Sequence, residues 1–336
     1  MTTAEAEGVP RTETQDLYAL LLGLAGRIPD EGLAEMRLCL ADGELDELTS
    51  LLAAEIETGR LALTDQEAGT ARADHAPRIG SPLPLPYRFG DEYGVTMPNG
   101  DGWESQKDAM DAVVVEAGER VGGLIGIWRV FRHAHEGPAR RVYLAEARTG
   151  ADLAEPTAEM QYALTEASED TPRVEVFEEG TPLPAYHDAA LGGATLVWAA
   201  EDTPVHLVRV FDGADAAGGP YFHDDHPRLG GPDGERVLAY LSGGEPILNT
   251  PGALDDVLDQ GRLGAVPAGF RSDGRWVWPD AVAYYLKRHH LAPDPELVAH
   301  ALAQKGPPGP LNRLTRHRVL TTLFAPTGGE PVWQAG

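Results

Sequence analysis

The chain of 336 residues contains a single cysteine, Cys39. One cysteine forms no intramolecular disulfide, and it excludes zinc and iron–sulfur sites that require several thiolates. Positive charge is also scarce, because 27 lysine and arginine residues stand against 53 acidic residues and the formal net charge is −26. A surface that attracts nucleic-acid phosphates is therefore missing, and a general nucleic-acid-binding protein is disfavoured.

Long hydrophobic runs and familiar catalytic motifs are missing as well. The longest apolar stretch, residues 191–200, is too short to span a bilayer, and residues 1–15 contain no apolar signal-peptide core. The chain has no GxSxG, GxxxxGK[ST] or HExxH motif, and no GxGxxG motif after a predicted strand. We therefore expect a cytoplasmic protein without a cofactor or membrane contact, while catalysis stays an open question.

The residues that are present indicate an α/β and α+β protein with several domains. Hydrophobic residues make up 42% of the chain, as is usual for domains with a packed core. Helical spacing of leucines predicts a helical domain at 12–73, and the proline-rich run at 76–86 predicts a linker. An α/β domain is expected at 87–234, an α+β unit at 235–304 and a basic tail at 305–336.

The α/β domain has the clearest order of predicted elements. Buried strands are expected at 142–145, 174–177 and 195–199 with helices between them, which predicts a central three-layer βαβαβ unit. A further strand is expected at 205–211. In such a unit, ligands bind beyond the carboxyl ends of the strands. If the protein binds a small, nucleotide-like ligand there, the best-placed carboxylates are Glu146, Glu178 and Glu179.

Two pairs of histidines are weak candidates for metal ligands. His133 and His135 flank one residue near a predicted strand end, where alternation would point both rings to one side. His223 and His226 lie in an acidic, glycine-bounded loop at 218–234. Neither pair has an identifiable third ligand. The favoured interpretation is that the first pair simply lies at a strand end and the second in a solvated loop. No bound metal is expected.

Aromatic residues are concentrated in the C-terminal unit, where glycine-containing turns at 243–244 and 273–274 predict two hairpins. Trp276 and Trp278 share one face of the second hairpin, and Tyr284 and Tyr285 follow in a predicted helix. Core packing is the commoner role of such residues, but rigid aromatic side chains also anchor protein interfaces. Partner binding through these four residues is therefore the functional hypothesis for this unit.

The stretches LYALLLGLAGRIPDEGLAE at 17–35 and GFRSDGRWVWPDAVAYYLKRHHLAPDPEL at 269–297 resemble segments of a multi-copy group of actinobacterial proteins of unassigned function. The resemblance implies a bacterial, cytoplasmic protein, and expanded groups of this kind often belong to toxin–immunity or other conflict systems. Strong negative charge speeds association with basic proteins. We therefore expect an immunity-type interaction module with a basic protein partner, and the alternative is an enzyme or sensor of a small ligand.

Overall fold

The computed structural model describes residues 12–81, 85–93, 107–216 and 218–324. Within them the chain divides into two compact units, and the boundary falls between Glu201 and Asp202. The helical segment at 12–73 belongs to the first unit together with the sheet. The observed division therefore differs from the expected domain boundaries. Residues 313–324 of the expected tail form a helix of the second unit, and Val319 of this helix is fully buried.

The first unit combines helices with a mixed sheet, which confirms the coarse prediction of α and β structure. Its helices are α1 (Glu13–Gly23), α2 (Asp30–Asp42), α3 (Leu45–Glu57), α4 (Asp65–Thr70), α5 (Ala109–Val121), α6 (Ala154–Glu166) and α7 (Ala185–Gly192). Its strands are β1 (Arg88–Gly90), β2 (Leu124–His133), β3 (Arg140–Ala147), β4 (Val174–Glu178) and β5 (Thr195–Ala199).

Local sequence signals set the ends of several helices. At the start of α1, Gln15 N–H donates to Thr12 Oγ1 and Thr12 N–H donates to Gln15 Oε1. Thr64 and Glu67 form the same reciprocal pair at the start of α4. Both pairs are capping boxes that the sequence alone displays. Gly43 ends α2 in the left-handed conformation, with φ of 76°.

Strand β2 is the centre of the sheet in the first unit. It pairs antiparallel with β3 on one side, and with β1 and β5 on the other, while β4 pairs parallel with β3. The register aligns Phe177, Glu146, Gly126 and Ala199 in one row across the sheet. The carboxyl ends of β3, β4 and β5 therefore lie at one edge of the sheet, and β2 separates β5 from the other two strands.

Strand β4 lies at an edge of this sheet, and two side chains from the first helices bind its outward carbonyl groups. The carbonyls of Val174 and Val176 point away from β3, because alternate carbonyls of a strand face opposite sides. Arg37 of α2 donates to Val174 O at 2.9 Å, and Tyr18 of α1 donates to Val176 O at 2.9 Å. The helices thus cover an edge that would otherwise be open to pairing with another strand.

Arg37 also belongs to a buried ion cluster. Its Nη1 and Nη2 donate to Glu175 Oε1 and Oε2 at 3.0 and 2.5 Å, and His187 Nε2 of α7 lies 2.9 Å from Glu175 Oε2. All three side chains are at most 3% exposed. Burial raises the pKa of Glu175, but the charge of Arg37 and the bonds with His187 and Arg37 together lower it further, so the pKa lies below its ordinary value. The cluster joins α2, β4 and α7.

The second unit contains a four-stranded sheet, two short β-pairs and four helices within the described residues. Its helices are α8 (Gly231–Gly243), α9 (Asp280–His289), α10 (Pro295–Ala303) and α11 (Arg313–Phe324). Its strands are β6 (His206–Leu207), β7 (Gly213–Asp215), β8 (Gly219–Tyr221), β9 (Glu245–Leu248), β10 (Ala253–Leu254), β11 (Val266–Pro267), β12 (Phe270–Ser272) and β13 (Trp276–Pro279). The larger sheet has the order β6-β13-β12-β9.

Two local predictions for this unit are wrong and one is confirmed. The turn at 273–274 joins β12 and β13 as an antiparallel hairpin, as predicted. The glycines at 243–244 instead end helix α8, whose Val237 and Leu241 lie at helical spacing and are fully buried. The strand expected at 205–211 shortens to β6, which pairs parallel with β13. Across the described ranges, no helix has the length and apolar character needed to cross a membrane.

Replacement of Arg37 by methionine tests how much the edge of β4 depends on this arginine. The variant leaves the Glu175 carboxylate buried without its main counter-charge, so we expect the free energy of unfolding to fall by about 3–5 kcal/mol. We also expect faster hydrogen exchange in β4. Urea denaturation followed by circular dichroism, and mass spectrometry of deuterium uptake at 174–178, measure the two effects.

Replacement of Arg72 by methionine is the matched control. Its ion pair with Glu13 spans 2.8 Å between side chains that are 80% and 58% exposed, so its loss should change the free energy of unfolding by about 1 kcal/mol or less. Equal losses in the two variants would contradict the role given to Arg37.

Candidate interaction surface

The tryptophans expected to face a partner lie in the core of the second unit. Trp278 is fully buried and Trp276 is 7% exposed. Both pack against residues of α8, α9 and α10. Tyr285 is also buried, and Tyr284 is half-buried. The recognition surface expected from these four residues is therefore not formed by the two tryptophans, because three helices cover the strand face on which they lie.

Exposed apolar side chains of this unit are concentrated on another hairpin. Strands β10 and β11 pair antiparallel and enclose the loop at 255–265. Leu254, Leu258 and Leu263 on this segment are 45%, 45% and 74% exposed. A single exposed leucine is common, whereas three on one short hairpin make it a candidate interaction site. We call residues 253–267 the leucine hairpin.

Hydrogen bonds within the leucine hairpin hold its loop in one conformation. Gly264 N–H donates to Asp255 Oδ1 at 2.7 Å, and Asp256 N–H donates to Arg262 O at 3.1 Å. Arg262 Nε also lies 3.1 Å from Asp259 Oδ2 as an ion pair. The loop is therefore closed by bonds across it, and its leucines extend from an ordered backbone.

Asp256 attaches the leucine hairpin to helix α9. Its buried carboxylate accepts hydrogen bonds from Leu258 N–H and Tyr284 OH, both at 2.9 Å, and His289 Nε2 lies 2.6 Å away. Burial raises the pKa of Asp256, but the bond with His289 and the other hydrogen bonds lower it further than burial raises it. Tyr284 thus supports the hairpin, a role that the sequence pattern did not reveal.

The inner side of the leucine hairpin packs on an aromatic core. Val266 of β11 is fully buried and belongs to the same cluster as Tyr285. The ring of Tyr285 contacts those of Phe211 and Phe222, with centroids 5.7 and 4.9 Å apart. Tyr285 OH accepts a hydrogen bond from Val257 N–H at 3.2 Å. The aromatic residues therefore form the base on which the exposed hairpin lies.

A cleft of about 320 Å³ opens beside the leucine hairpin. Its walls are mostly glycine and alanine, and the polar side chains in its lining are Asn249, Thr250 and Asp280. Asp280 is the first residue of α9, and its Oδ1 accepts a hydrogen bond from Arg271 Nε at 2.8 Å. The hairpin and the cleft share lining residues, so the apolar patch and the polar recess form one continuous surface.

The three glutamates predicted to bind a small ligand do not line one open crevice. Glu146 is fully buried within β3. The Trp128 indole lies over Gly126, which is the neighbour of Glu146 in the sheet. Glu178 accepts a hydrogen bond from the backbone N–H at position 150 at 2.5 Å, and Glu179 is half-buried beside it. The strand ends share an edge, but their carboxylates have separate surroundings.

The first histidine pair is separated by the end of its strand. His133 is the last residue of β2, and its Nε2 lies 2.8 Å from Asp91 O. His135 lies beyond the strand on an exposed turn. The alternation that would place both rings on one side therefore does not extend to His135, and the structure does not bring the two rings together as ligands.

The rings of the second histidine pair have separate contacts as well. His226 uses both ring nitrogens, with Nδ1 2.9 Å from Asp212 Oδ2 and Nε2 3.0 Å from Ala292 O. The ring of His223 instead contacts the ring of Tyr221, with centroids 5.3 Å apart. Over the part of the chain that the structure describes, no three histidine, cysteine or acidic side chains are grouped so that they could hold a metal ion.

No family model, curated protein or solved structure matches this chain. The features that bear on function are therefore those of the surface itself. They are an ordered hairpin with exposed leucines, a small polar cleft beside it, and a chain with a net charge of −26.

Trp278→Ala tests the assignment of the aromatic strand to the core. Removal of a fully buried indole leaves a cavity, so we expect the free energy of unfolding to fall by about 3–5 kcal/mol. Tyr221→Ala removes a ring that is 41% exposed and should cost much less. Thermal denaturation followed by circular dichroism measures both, and a melting temperature that Trp278→Ala leaves unchanged would contradict the assignment.

Asp256→Asn tests the attachment of the leucine hairpin to α9. The amide keeps the shape of the side chain but removes the charge that accepts these bonds, so we expect a loss of about 1–3 kcal/mol. The amide of Leu258 should exchange with solvent faster. Asp233→Asn, which removes a pair between exposed side chains of α8 outside the hairpin, is the control, and equal amide exchange in the two variants would argue against the attachment.

The same contact predicts a dependence on pH. The folded pKa of Asp256 lies below its unfolded value of about 3.9, so the carboxylate stabilises the hairpin above about pH 4. This stabilisation is lost as the pH falls through the lower, folded value. The amide resonance of Leu258 should therefore shift on acidification below about pH 4 in the parent protein and stay constant in Asp256→Asn.

Proposed function

We propose that this protein is a non-enzymatic interaction module of the immunity type, which binds a basic protein partner through the leucine hairpin. The observation that carries the proposal is the exposure of Leu254, Leu258 and Leu263 on a loop that its own hydrogen bonds hold in place. By its resemblance to the actinobacterial group, we also place the protein in the bacterial cytoplasm and in a conflict system.

The order of the hairpin favours binding, because a partner would not have to immobilise a flexible loop. Side chains and loops that are ordered before association reduce the entropy lost on binding. Full burial of a leucine side chain contributes about 1.5–3 kcal/mol, and the exposed part of each leucine contributes its share of that. Asp255 and Asp259 lie beside the leucines, so the patch has the apolar centre and polar rim that are typical of interfaces.

The net charge of −26 over the whole chain supports a basic partner. Four of the arginines in the described residues are at most 8% exposed and pair with acidic side chains. They are Arg37, Arg129, Arg132 and Arg173. At their shortest contacts these four arginines pair with only three carboxylates, those of Glu175, Asp111 and Asp30, so the excess of acidic residues lies outside these contacts. A surface of this kind attracts basic proteins over distances of about one Debye length and speeds their association.

Peptide selection on the full chain tests the proposal without a known partner. A phage library of random dodecapeptides, selected on the immobilised protein, should yield peptides that combine lysine or arginine with large apolar residues. Fluorescence anisotropy of one selected peptide should show at least tenfold weaker binding to the double variant Leu258→Ser, Leu263→Ser. Binding should also weaken as salt increases.

Leu207→Ser is the matched control, because Leu207 is 46% exposed and lies on β6, outside the leucine hairpin. It should leave the affinity for the selected peptide unchanged. The proposal is wrong if no peptide is enriched, if the enriched peptides are acidic, or if the control weakens binding as much as the hairpin variant. Near-parental melting temperatures of both variants exclude unfolding as the cause.

A further inference from the structure

We infer that His226 forms a pH-sensitive contact that opens and closes one segment of the second unit. As an imidazolium, its ring joins the segment 212–226 to the connection between α9 and α10, residues 290–294. After the loss of one proton, the ring releases that segment. The inference goes beyond the proposed function and requires no partner, so the outcome of the peptide selection does not bear on it.

Both ring nitrogens of His226 face oxygen atoms. Nδ1 lies 3.0 Å from Asp212 Oδ1 and 2.9 Å from Asp212 Oδ2, and Nε2 lies 3.0 Å from the carbonyl oxygen of Ala292. A carbonyl oxygen has no proton to donate, so Nε2 must carry the proton of that bond. A neutral imidazole has one N–H donor, whereas an imidazolium has two. Both contacts can therefore be hydrogen bonds only if the ring or the carboxylate carries an additional proton.

The additional proton belongs to the ring and not to Asp212. Oδ2 of Asp212 also accepts a hydrogen bond from His223 N–H at 2.7 Å. Burial raises the pKa of Asp212, but its hydrogen bonds with His223 N–H and the His226 ring, together with the charges of these two histidines, lower it further. An aspartate whose pKa lies below its ordinary value is ionised at neutral pH and only accepts hydrogen bonds. The closed geometry therefore requires an imidazolium at His226.

The segments that meet at His226 carry other titratable or charged groups. Within the described residues, the hydrogen bonds of the His226 ring are limited to Asp212 and Ala292, so no other carboxylate bonds to it. The remaining groups on the turn of His226, at the end of α9 and in the connection that follows are His223, Asp224, Asp225, Arg228, Tyr285, His289, His290 and Asp294.

Loss of one ring proton breaks the contact with Ala292. A bond to an ionised carboxylate is stronger than a bond to a neutral carbonyl, so the neutral ring keeps its proton on Nδ1. The lone pair of Nε2 then faces a lone pair of the Ala292 oxygen, and the two repel each other. Histidines in proteins titrate between about pH 5 and 8, so the contact stabilises the closed segment at mildly acidic pH and is lost as the pH rises. On the acidic side it persists until Asp212 is protonated, below about pH 4.

The backbone bonds that follow His226 in the chain do not titrate. Ala292 N–H donates to Pro227 O at 2.9 Å, and Leu229 N–H donates to His290 O at 2.8 Å. These bonds hold residues 227–229 on the connection at any pH in this range. The part that the neutral ring releases is therefore the segment 212–226, and Pro227 is the position about which it moves.

The closed segment forms part of the aromatic base beneath the leucine hairpin. The ring of Phe222 contacts the rings of His226 and Tyr285, with centroids 5.1 and 4.9 Å apart. Tyr285 OH in turn accepts the hydrogen bond from Val257 N–H of the leucine hairpin. Release of the segment would therefore separate Phe222 from Tyr285 and remove one side of this base.

Nuclear magnetic resonance of the full chain at about pH 5.5 and about pH 8.5 tests the inference. Long-range proton–nitrogen spectra should show protons on both ring nitrogens of His226 at the lower pH and on Nδ1 alone at the higher pH. Cross-peaks between the Phe222 and Tyr285 rings should be lost at the higher pH. The amide protection factors of residues 212–226, which correct for the intrinsic exchange rate, should fall about tenfold or more, as expected for the loss of a bond to a charged group.

Two variants and a control identify the group that titrates. In His226→Gln the side chain cannot titrate, so the protection factors of the segment should be equal at the two pH values. Asp212→Asn is a second variant, and its amide can donate to Nδ1 of a neutral ring while Nε2–H binds the Ala292 oxygen. Protection should therefore remain high at both pH values. His223→Gln, a change in the same turn to a ring that makes no bond with Ala292, should keep the transition.

The inference is overturned if the His226 ring carries a single proton at about pH 5.5, or if the parent protein shows equal protection factors at the two pH values. It is also overturned if the transition persists in Asp212→Asn, or if His223→Gln removes it. Asp212→Asn decides the question by itself if His226→Gln does not fold. A transition that the changes at positions 212 and 226 abolish and the change at position 223 preserves would support it.

Discussion

The outward carbonyl groups of β4 have no neighbouring strand, and donors from α1 and α2 bind them instead. Arg37 could not reach Val174 O from a buried position without a counter-charge, because an unpaired buried guanidinium is strongly unfavourable. Glu175 on the same strand supplies that charge, and His187 of α7 bonds to the same carboxylate. Closure of one strand edge thus determines the positions of three helices in the first unit.

The start of α2 is held in a similar way, which explains why the N-terminal helices share a unit with the sheet. Asp30, the first residue of α2, pairs with Arg132 of β2 and with Arg173, each at 2.6 Å. Burial raises the pKa of Asp30, but its bonds with Arg132 and then Arg173 lower it below the ordinary value. Charged contacts from the start and the middle of α2 therefore reach the sheet.

In the second unit, a buried carboxylate has a related role for a loop instead of a strand edge. Asp256 lies on a segment with little regular structure, yet its bonds to Tyr284, His289 and the Leu258 N–H define how the leucines extend from the surface. An ordered loop with exposed leucines is unfavourable in water and loses apolar exposure when a partner covers it. The rigidity of the loop and the exposure of its leucines therefore both point to binding.

The sequence by itself determined the features that depend on neighbouring residues. Capping residues and apolar spacing predicted the helices, and the Asp-Gly turn predicted the β12–β13 hairpin. These predictions succeed because hydrogen bonds within a few residues decide them.

Only the tertiary structure decided which apolar residues face water. Trp278 is buried because helices distant in the sequence cover its strand, whereas Leu263 is exposed because nothing in the described chain covers its loop. The burial of Glu175 and Asp256 also could not be predicted from the sequence. Their hydrogen-bonding partners lie far from them in the chain, or at no regular spacing that a sequence pattern would show.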